Sequence, residues 1–481
     1  MAVKRYMAWM LSGTAAQQLM QFAVMLYLAR LLSPSDFGVF AICVIVYGIC
    51  KLVAEIGVSS AVVHTDKLTG VDISSVFIFQ LAFGSFISLL LYLNSTTIGL
   101  LFGQDNFGVY LETIAIAVFV TSLGSVSLAI LNRDMRFKAI SLINVCSFLF
   151  GYTLISISMS HADFGAYSLI CGMLAQLAIQ SFVSLVLTAR KLRITFFDMS
   201  SVRRLLPYGI RHTLAEFSNL GASHGDNFVL AKYVSLESLG IYSRAYQIIS
   251  APAMLIGGTM DKVYFPIISR LKDRPKEVAS LYMNGIVLVS WFSIPFGMVL
   301  HFNSEYIINL LLGSGWEQVA PVLGILSLIF LYRVGYKIND CVLRSMGNMT
   351  SRIFAQLFYA FCVLLGAYAG SHYGLVGVAA GVAIAIFLNF YVLYFCIDKS
   401  IRTEIGMASY TFKYGVYYVI SYLMLDYLMV EFGGISNFVM MFAFWVLLLV
   451  LHLLLSFTVP HFMQRERDLY KRCYLYIAKS Y

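Results

Sequence analysis

Residues 28–40 read LARLLSPSDFGVF, and 202 positions later residues 230–242 read LAKYVSLESLGIY. A cation (Arg30, Lys232), a serine (Ser33, Ser235) and a glycine (Gly38, Gly240) stay in step between the two. Each segment joins two long apolar runs, so one helix-to-helix connection is written twice. A second echo supports the first: FGAYSLICG at 164–172 matches YGLVGVAAG at 373–381 in its aromatic-Gly start and its final Gly, at an offset of 209. Similar offsets divide the chain into two halves of like organisation.

Composition says what the halves are made of. The 481 residues are 60% hydrophobic and only 12% charged, with a mean hydropathy of +0.81. Soluble domains carry roughly twice that share of charge. Apolar runs of about 20 residues, enough as helices to cross a hydrocarbon core of about 30 Å, recur along the whole sequence. The expected spans are 7–31, 38–62, 75–97, 110–131, 140–159, 164–188, 208–231, 238–264, 281–301, 319–345, 354–370, 374–396, 412–430 and 436–458. The expected fold is therefore an all-α polytopic membrane protein of about fourteen transmembrane helices. Residues 1–190 form a first six-helix lobe and 205–397 a second; two extra helices (412–458) and a basic tail (460–481) follow.

The start, MAVKRYMAWMLSGTAAQQLMQF, is basic and then apolar, but Thr14, Gln17, Gln18 and Gln21 interrupt the run. It reads as a retained first helix rather than a cleaved signal. Of the 33 Lys and Arg residues, about 25 fall in connections on one side, such as Arg190, Lys191, Arg193, Arg203 and Arg204, or Arg270, Lys272, Arg274 and Lys276. That asymmetry accounts for the net charge of +9 as a positive-inside bias and excludes a nucleic-acid partner. It places both termini in the cytoplasm. The tail QRERDLYKRCYLYIAKSY reads equally as a solvated tail or as an interfacial helix on the inner headgroups. Between spans the connections are short, and the longest outer one, NSEYIINLLLGSGWEQ at 303–318, is apolar enough to form a re-entrant or interfacial helix.

With six spans per half, both halves enter the membrane from the same side. The repeats are then parallel, related by an axis along the membrane normal, an arrangement of transporters with the path between the halves. On the seventh span His212, Glu216, Asn219, Ser223 and Asp226 are spaced 4, 3, 4 and 3 apart and lie in one stripe. The stripe rises about 21 Å. Ionisable groups facing hydrocarbon cost at least about 2.5 kcal/mol each, so the stripe faces a dry bundle through hydrogen bonds or the wall of a wet cavity. Its length and ionisable content favour the cavity. Subtracting 202 puts Glu216, Asn219 and Ser223 over Thr14, Gln17 and Gln21, so the first span repeats the polar stripe.

Other charges at membrane depth break the symmetry. Lys51 and Glu55 are i, i+4 on the second span and able to neutralise one another. Arg244 sits near the outer end of the eighth, positioned to snorkel; Asp261 and Lys262 lie near its inner end. Arg333 and Lys337 share a face of the tenth, with Asp340 one turn on; the pair calls for an anion between them or a Lys337–Asp340 pairing. Ala253 stands where Lys51 would recur. The cavity expected from these residues has an excess of cations and a few carboxylates, of which Glu216 and Asp226 could carry protons through burial.

Catalytic readings find little. HExxH, the P-loop, the Rossmann fingerprint and GxSxG are all missing, the eight cysteines are dispersed as packing residues, and neither an enzyme activity nor a cofactor is expected.

LARLLSPSDFGVFA, GDNFVLAKYVSLESLGIYSRAYQI (225–248), VYFPIISRLKD (263–273) and LLGSGWEQVAPVLGIL (311–326) resemble the Wzx-type polysaccharide flippases. More narrowly they are similar to the colanic-acid and teichuronic-acid exporter branch of the multidrug/oligosaccharidyl-lipid/polysaccharide superfamily. The resemblance covers residues 7–400. It implies two six-helix lobes around a V-shaped cavity, alternating access, and location in the bacterial cytoplasmic membrane. It also implies a cargo, an undecaprenyl-diphosphate-linked oligosaccharide moved between leaflets for O-antigen, capsule or exopolysaccharide, with its tail left among membrane lipid. Polysaccharide polymerase and chain-length proteins are the implied protein partners.

On that reading Lys51, Arg211, Arg333 and Lys337 are candidates for the diphosphate. Gln17, Gln21, His212, Glu216, Asn219 and Ser223 would wall the sugar, and Glu55, Glu216, Asp226 and Asp340 would couple an ion. A drug or cation antiporter of the same superfamily is the principal rival, expected to show a more acidic, aromatic cavity without a cation excess. A membrane polymerase or ligase would need a larger outer loop, and a non-transporting scaffold would not need paired polar stripes.

Overall fold

In a computed structural model of the chain, the described residues are 17–65, 68–100, 102, 107–192 and 197–401. The helices expected at 412–430 and 436–458, the tail 460–481 and the start of the first span, Thr14 included, lie outside them. All regular structure among the described residues is helical, with no strand.

In chain order the helices are α1 (described from 17 to 29), α2 (Pro34–Glu55), α3 (Val58–His64), α4 (Gly70–Leu93), α5 (Ser95–Leu100), α6 (Phe107–Arg133), α7 (Phe137–Cys146), a π-helical turn (Ser147–Thr153), α8 (Leu154–His161) and α9 (Ala166–Thr188). Then come α10 (Met199–Tyr233), α11 (Leu236–Leu271), α12 (Pro275–Phe302), α13 (Ser304–Leu311), α14 (Val319–Leu328), α15 (Phe330–Ser345), α16 (Met349–Ser371) and α17 (Gly374–Ile401). Each of the twelve spans expected up to residue 396 overlies one of these helices or a broken pair.

Among the described residues eight helices are long and apolar enough to cross a membrane, and α14 with α15, bent by 51°, makes a ninth if taken as one span. The chain is a multi-pass membrane protein. α10 and α11 are longer still, at 35 and 36 residues, but the polar stripe lowers the hydropathy of α10. The apolar segment at 303–318 contains a short helix, α13.

The described helices fall into two compact units. One holds the chain up to Arg244 together with Leu311–Trp316 and Ala360–Val378; the other holds Ala245–Leu310, Glu317–Tyr359 and the residues from Ala379 on.

The duplicated connection acquires a structural meaning within the first unit. Ser33 caps α2: its hydroxyl accepts from the Asp36 N–H at 3.3 Å while the Asp36 carboxylate accepts from the Ser33 N–H at 3.0 Å, a reciprocal capping box. Ser235 caps α11 with half of that arrangement, accepting from the Ser238 N–H at 3.0 Å and donating to the Ser238 hydroxyl at 2.9 Å. One turn into each helix the two glycines meet. A Cβ on Gly38 would lie 1.8 Å from the Leu236 carbonyl oxygen, and a Cβ on Gly240 would lie 1.8 Å from that of Pro34. Because 34 and 38 shifted by 202 give 236 and 240, exchanging the two copies maps the contact onto itself. Only glycine permits this approach of two backbones. The second echo is conformational too, since Gly165 (φ 53°) and Gly374 (φ 71°) both take the left-handed region where α9 and α17 begin.

Trp316 and Arg244 close over the same corner. The buried indole donates its Nε1–H to the Ala29 carbonyl at 2.7 Å and meets Phe37 edge-on at 5.5 Å. Arg244, expected to snorkel, is instead only 9% exposed, with its guanidinium 4.4 Å from the centre of the Phe37 ring. The aromatic face replaces water as its partner.

The second span departs from expectation by breaking. Ile56 (φ 42°) and Gly57 (φ 66°) both adopt left-handed conformations between α2 and α3. A β-branched residue there is strained, at a typical cost of about 1–3 kcal/mol. The break lets another backbone in, since a Cβ on Gly57 would sit 2.1 Å from the Gly209 carbonyl oxygen of α10.

Candidate functional site

α10 is fixed against the first helices at its N-terminal end. Asp198 caps it, accepting from the N–H groups of Ser200 and Ser201 at 3.0 and 3.2 Å, and its own N–H donates to Ser75 of α4 at 2.8 Å. The hydroxyls of Ser200 and Ser201, with these N–H groups, hold the Asp198 carboxyl down at about 2. One turn on, Arg204 reaches the buried Asp72 at the start of α4 at 2.6 Å. With the Gly57–Gly209 contact, these interactions lay α10 along α2 and α3.

Between α10 and the broken α2–α3 pair lies a cavity of about 370 Å³. α2 and α3 contribute Lys51, Glu55 and Ser60; α10 contributes Glu216, Ser223 and His224. Gly48 and Gly57 supply wall without side chain. Lys51 Nζ stands 3.9 Å from Glu55 Oε1, a loose i, i+4 pair whose side chains are 42% and 24% exposed. Two hydrogen bonds steady the α2 wall from behind: Tyr47 Oη to Thr121 Oγ1 of α6 at 2.8 Å, and Gln80 of α4 donating to the Ala54 carbonyl at 3.1 Å.

Four residues singled out in the sequence for three different roles, Lys51, Glu55, Glu216 and Ser223, thus share one cavity. Others do not join them. Arg211 is exposed on α10 and Gln17 and Gln21 are half-buried on α1, and none of the three is among the lining residues. The side chains of His212 and Asn219, like those of Asp261 and Lys262, lie outside the described residues. Asp226 is buried near the far end of α10, where it accepts from Tyr242 Oη at 2.7 Å and from the Asn227 N–H at 2.8 Å. The expected cation excess is not what this cavity displays: one lysine faces two glutamates and a histidine.

Arg333 and Lys337 belong to the second unit. Arg333 is 7% exposed; it donates to Ser250 Oγ at 2.9 Å, and its guanidinium lies 4.2 Å from the centre of the Tyr246 ring. Lys337 is half-buried and runs across α11 at Gly257, where a Cβ would fall 2.3 Å from Lys337 Cδ. The alternative Lys337–Asp340 pairing gives way to another, because Asp340 is bridged by Arg344 at 2.9 Å and by Arg352 of α16 at 2.6 Å. Tied between two guanidinium groups, Asp340 has a structural occupation that competes with ion coupling.

Sequence reasoning missed His224 and Ser60. His224 adjoins Ser223 in sequence but stands about 100° from it around the helix, outside the polar stripe, so periodicity gave no signal for it. Ser60 is aligned by the break after Glu55, which the sequence does not announce. Among the described residues no group of three His, Cys, Asp or Glu side chains could hold a metal ion.

Residues 27–321 match the family described as "Polysaccharide biosynthesis protein". The chain is similar to the teichuronic acid biosynthesis protein TuaB of Bacillus subtilis (strain 168), 23% identical over 70% of this chain and 71% of that one. It is similar also to the lipopolysaccharide biosynthesis protein WzxC of Escherichia coli (strain K12), 21% identical over 78% and 77%. Among solved structures its fold is similar to that of the lipid II flippase MurJ in an inward closed conformation, with a TM-score of 0.72, 16% identity and coverage of 92% of this chain and 97% of that one.

Proposed function

Because the chain belongs to the polysaccharide biosynthesis protein family, we propose that it is a flippase. It moves undecaprenyl-diphosphate-linked oligosaccharide repeat units across the bacterial cytoplasmic membrane by alternating access, for surface polysaccharide. Both termini are cytoplasmic, the six-helix halves 1–190 and 205–397 flank the path, and the cargo passes on to a polysaccharide polymerase and chain-length proteins.

The observation that carries this reading is the ionisable cavity between α10, a helix of 35 residues, and α2–α3, of which α2 is long and apolar enough to cross a membrane. Charged side chains at such depth face protein or water rather than lipid. Lys51 meets the diphosphate, and Glu216, Ser223 and His224 meet the first sugars. Arg333 and Lys337 are further cations for the cargo, with the half-buried Lys337 the more accessible of the two.

The test is to quantify lipid-linked oligosaccharides by mass spectrometry in a strain lacking the protein, assigning each to a leaflet with a sugar-specific probe on intact spheroplasts. Accumulation of complete units in the inner leaflet supports a flippase; unchanged outward delivery with no second exporter present removes it. One observation favours a second reading, a drug or cation antiporter: two carboxylates and one lysine line the cavity. Cargo-independent efflux of a cationic dye, lost in Glu216→Gln, would move that reading to the front.

A further inference from the structure

The charge count of the cavity is at odds with an anionic cargo, and the Lys51–Glu55 geometry resolves the conflict. With His224 neutral, the described residues of the lining carry one positive and two negative charges. Lys51, the cation among these described residues, is already engaged, 3.9 Å from Glu55 on the next turn of the same helix. An anion that takes Lys51 leaves Glu55 as a second negative charge a few ångströms from the incoming phosphate, where like charges repel.

We propose that the cargo anion and a proton bind this cavity together, the proton going to Glu55 as Lys51 turns to the phosphate. The inference rests on the reading of Lys51 as the diphosphate contact. On binding, the Glu55 carboxylate takes one proton from solvent and becomes a neutral acid. Lys51 stays an ammonium and exchanges its ion pairing with Glu55 for a hydrogen bond to a phosphate oxygen; release reverses both steps. An O–H bond on Glu55 is the only covalent bond made. By linkage, what raises proton affinity on anion binding raises anion affinity on protonation by the same factor. The arrangement makes proton and cargo cooperative ligands, whereas exchange of one for the other would need them to exclude each other.

Among the described residues several groups face Glu55. α2 presents Tyr47 and Lys51, α3 Ser60, and α10 Glu216 and His224. α4 and α6 contribute neutral Gln80 and Thr121, both behind the wall. Arg211 stands exposed five residues before Glu216 on α10, and the side chain of His212 next to it lies outside the described residues. Glu55 is singled out by being the carboxylate that holds the lysine.

The experiment measures binding of a farnesyl diphosphosugar, whose diester phosphates keep their charge across the range used, to the purified full chain from about pH 5.5 to 8.5. The wild type should lose affinity toward a limit of about tenfold per pH unit at the alkaline end, the slope for one linked proton. Glu55→Gln, a neutral isostere, should abolish the slope and bind at alkaline pH as tightly as the wild type does in acid. Glu216→Gln and His224→Gln should change absolute affinity and keep the slope. A pH-independent wild type that still needs Lys51, shown by weak binding in Lys51→Ala, overturns the proton linkage alone and leaves the diphosphate contact standing. A slope that disappears in Glu216→Gln or His224→Gln and persists in Glu55→Gln also overturns it. Unaltered binding in Lys51→Ala, with abundance and melting unchanged, overturns the diphosphate assignment and the linkage with it.

Discussion

Adding one methyl group at Gly38 or Gly240 should force apart a pair of helices that now touch through backbone alone. A Cβ at either position would lie 1.8 Å from a carbonyl oxygen across the contact, whereas ordinary contact begins near 3.4 Å. The N-terminal turns of α2 and α11 must therefore separate by about 1.6 Å or shift sideways. Overpacking of this kind costs roughly 1–3 kcal/mol, here with little prospect of relief, because the obstructing atom is backbone. The two sites are not independent. Once Gly38→Ala has opened the gap, Gly240→Ala enters space already made, so the double variant should lose less stability than the sum of the singles. Residues in contact show coupling of about 0.5–3 kcal/mol. Thermal melting of the four purified proteins, followed by loss of monodisperse protein, closes the cycle. Strictly additive losses, or single alanines that melt like the wild type, would refute the reciprocal backbone contact.

Arg333→Ala should lower membrane abundance, since it removes a buried charge-assisted hydrogen bond to Ser250 worth about 1.5–3 kcal/mol and a stacked Tyr246 partner. Lys337→Ala should leave abundance intact and impair export, and immunoblots beside a complementation assay separate the two. Trp316→Phe keeps the ring against Phe37 but deletes the indole donor to Ala29, so melting should fall by the equivalent of about 1–3 kcal/mol. A melting point equal to wild type would mean that the Ala29 carbonyl is satisfied otherwise. Asp198 is held at about 2 against an ordinary 3.8, so its charge stabilises the folded chain above about pH 4 and the contribution disappears as pH falls through about 2. Asp198→Asn, which keeps a capping side chain, should therefore differ from wild type by a constant margin above pH 4 that shrinks in acid; a margin that grows in acid would contradict the cap.

Much of the fold was legible because the determinants are local and periodic. Twenty-residue apolar runs had to become helices in lipid, where backbone groups find partners only within the segment. Ser33 and Ser235 sat where caps sit. The echo even located the close contact, although nothing in a linear reading says that two glycines 202 positions apart touch each other. The polar stripe on α10 was legible for the same reason, and it led to Glu216 and Ser223. What escaped depends on neighbours. The left-handed turn at Ile56, a β-branched residue, goes against its own preference, and the close approach of Gly209 that accompanies the break joins segments far apart in the chain. Arg244 read as snorkelling because Phe37, over 200 residues earlier, was invisible as a partner. Asp340 read as free to couple an ion because Arg352 comes to it from the following helix. A charge's role inside a membrane is set by whatever faces it, and facing is a property of packing rather than of sequence.

The contact at Gly38 and Gly240 has a property that most interfaces lack. A surface whose elements meet their own counterparts across a two-fold axis needs only one sequence to be complementary. A half-length chain bearing a single copy of the connection, capped serine and glycine included, would carry both sides of the joint, and two such chains inserted the same way round could pair through it. The sequence around the two copies of the connection can then diverge in charge, as at Lys51 and Ala253, while the joint holds each glycine to the other. Change at one of the pair will be tolerated most readily with a matching change at its twin.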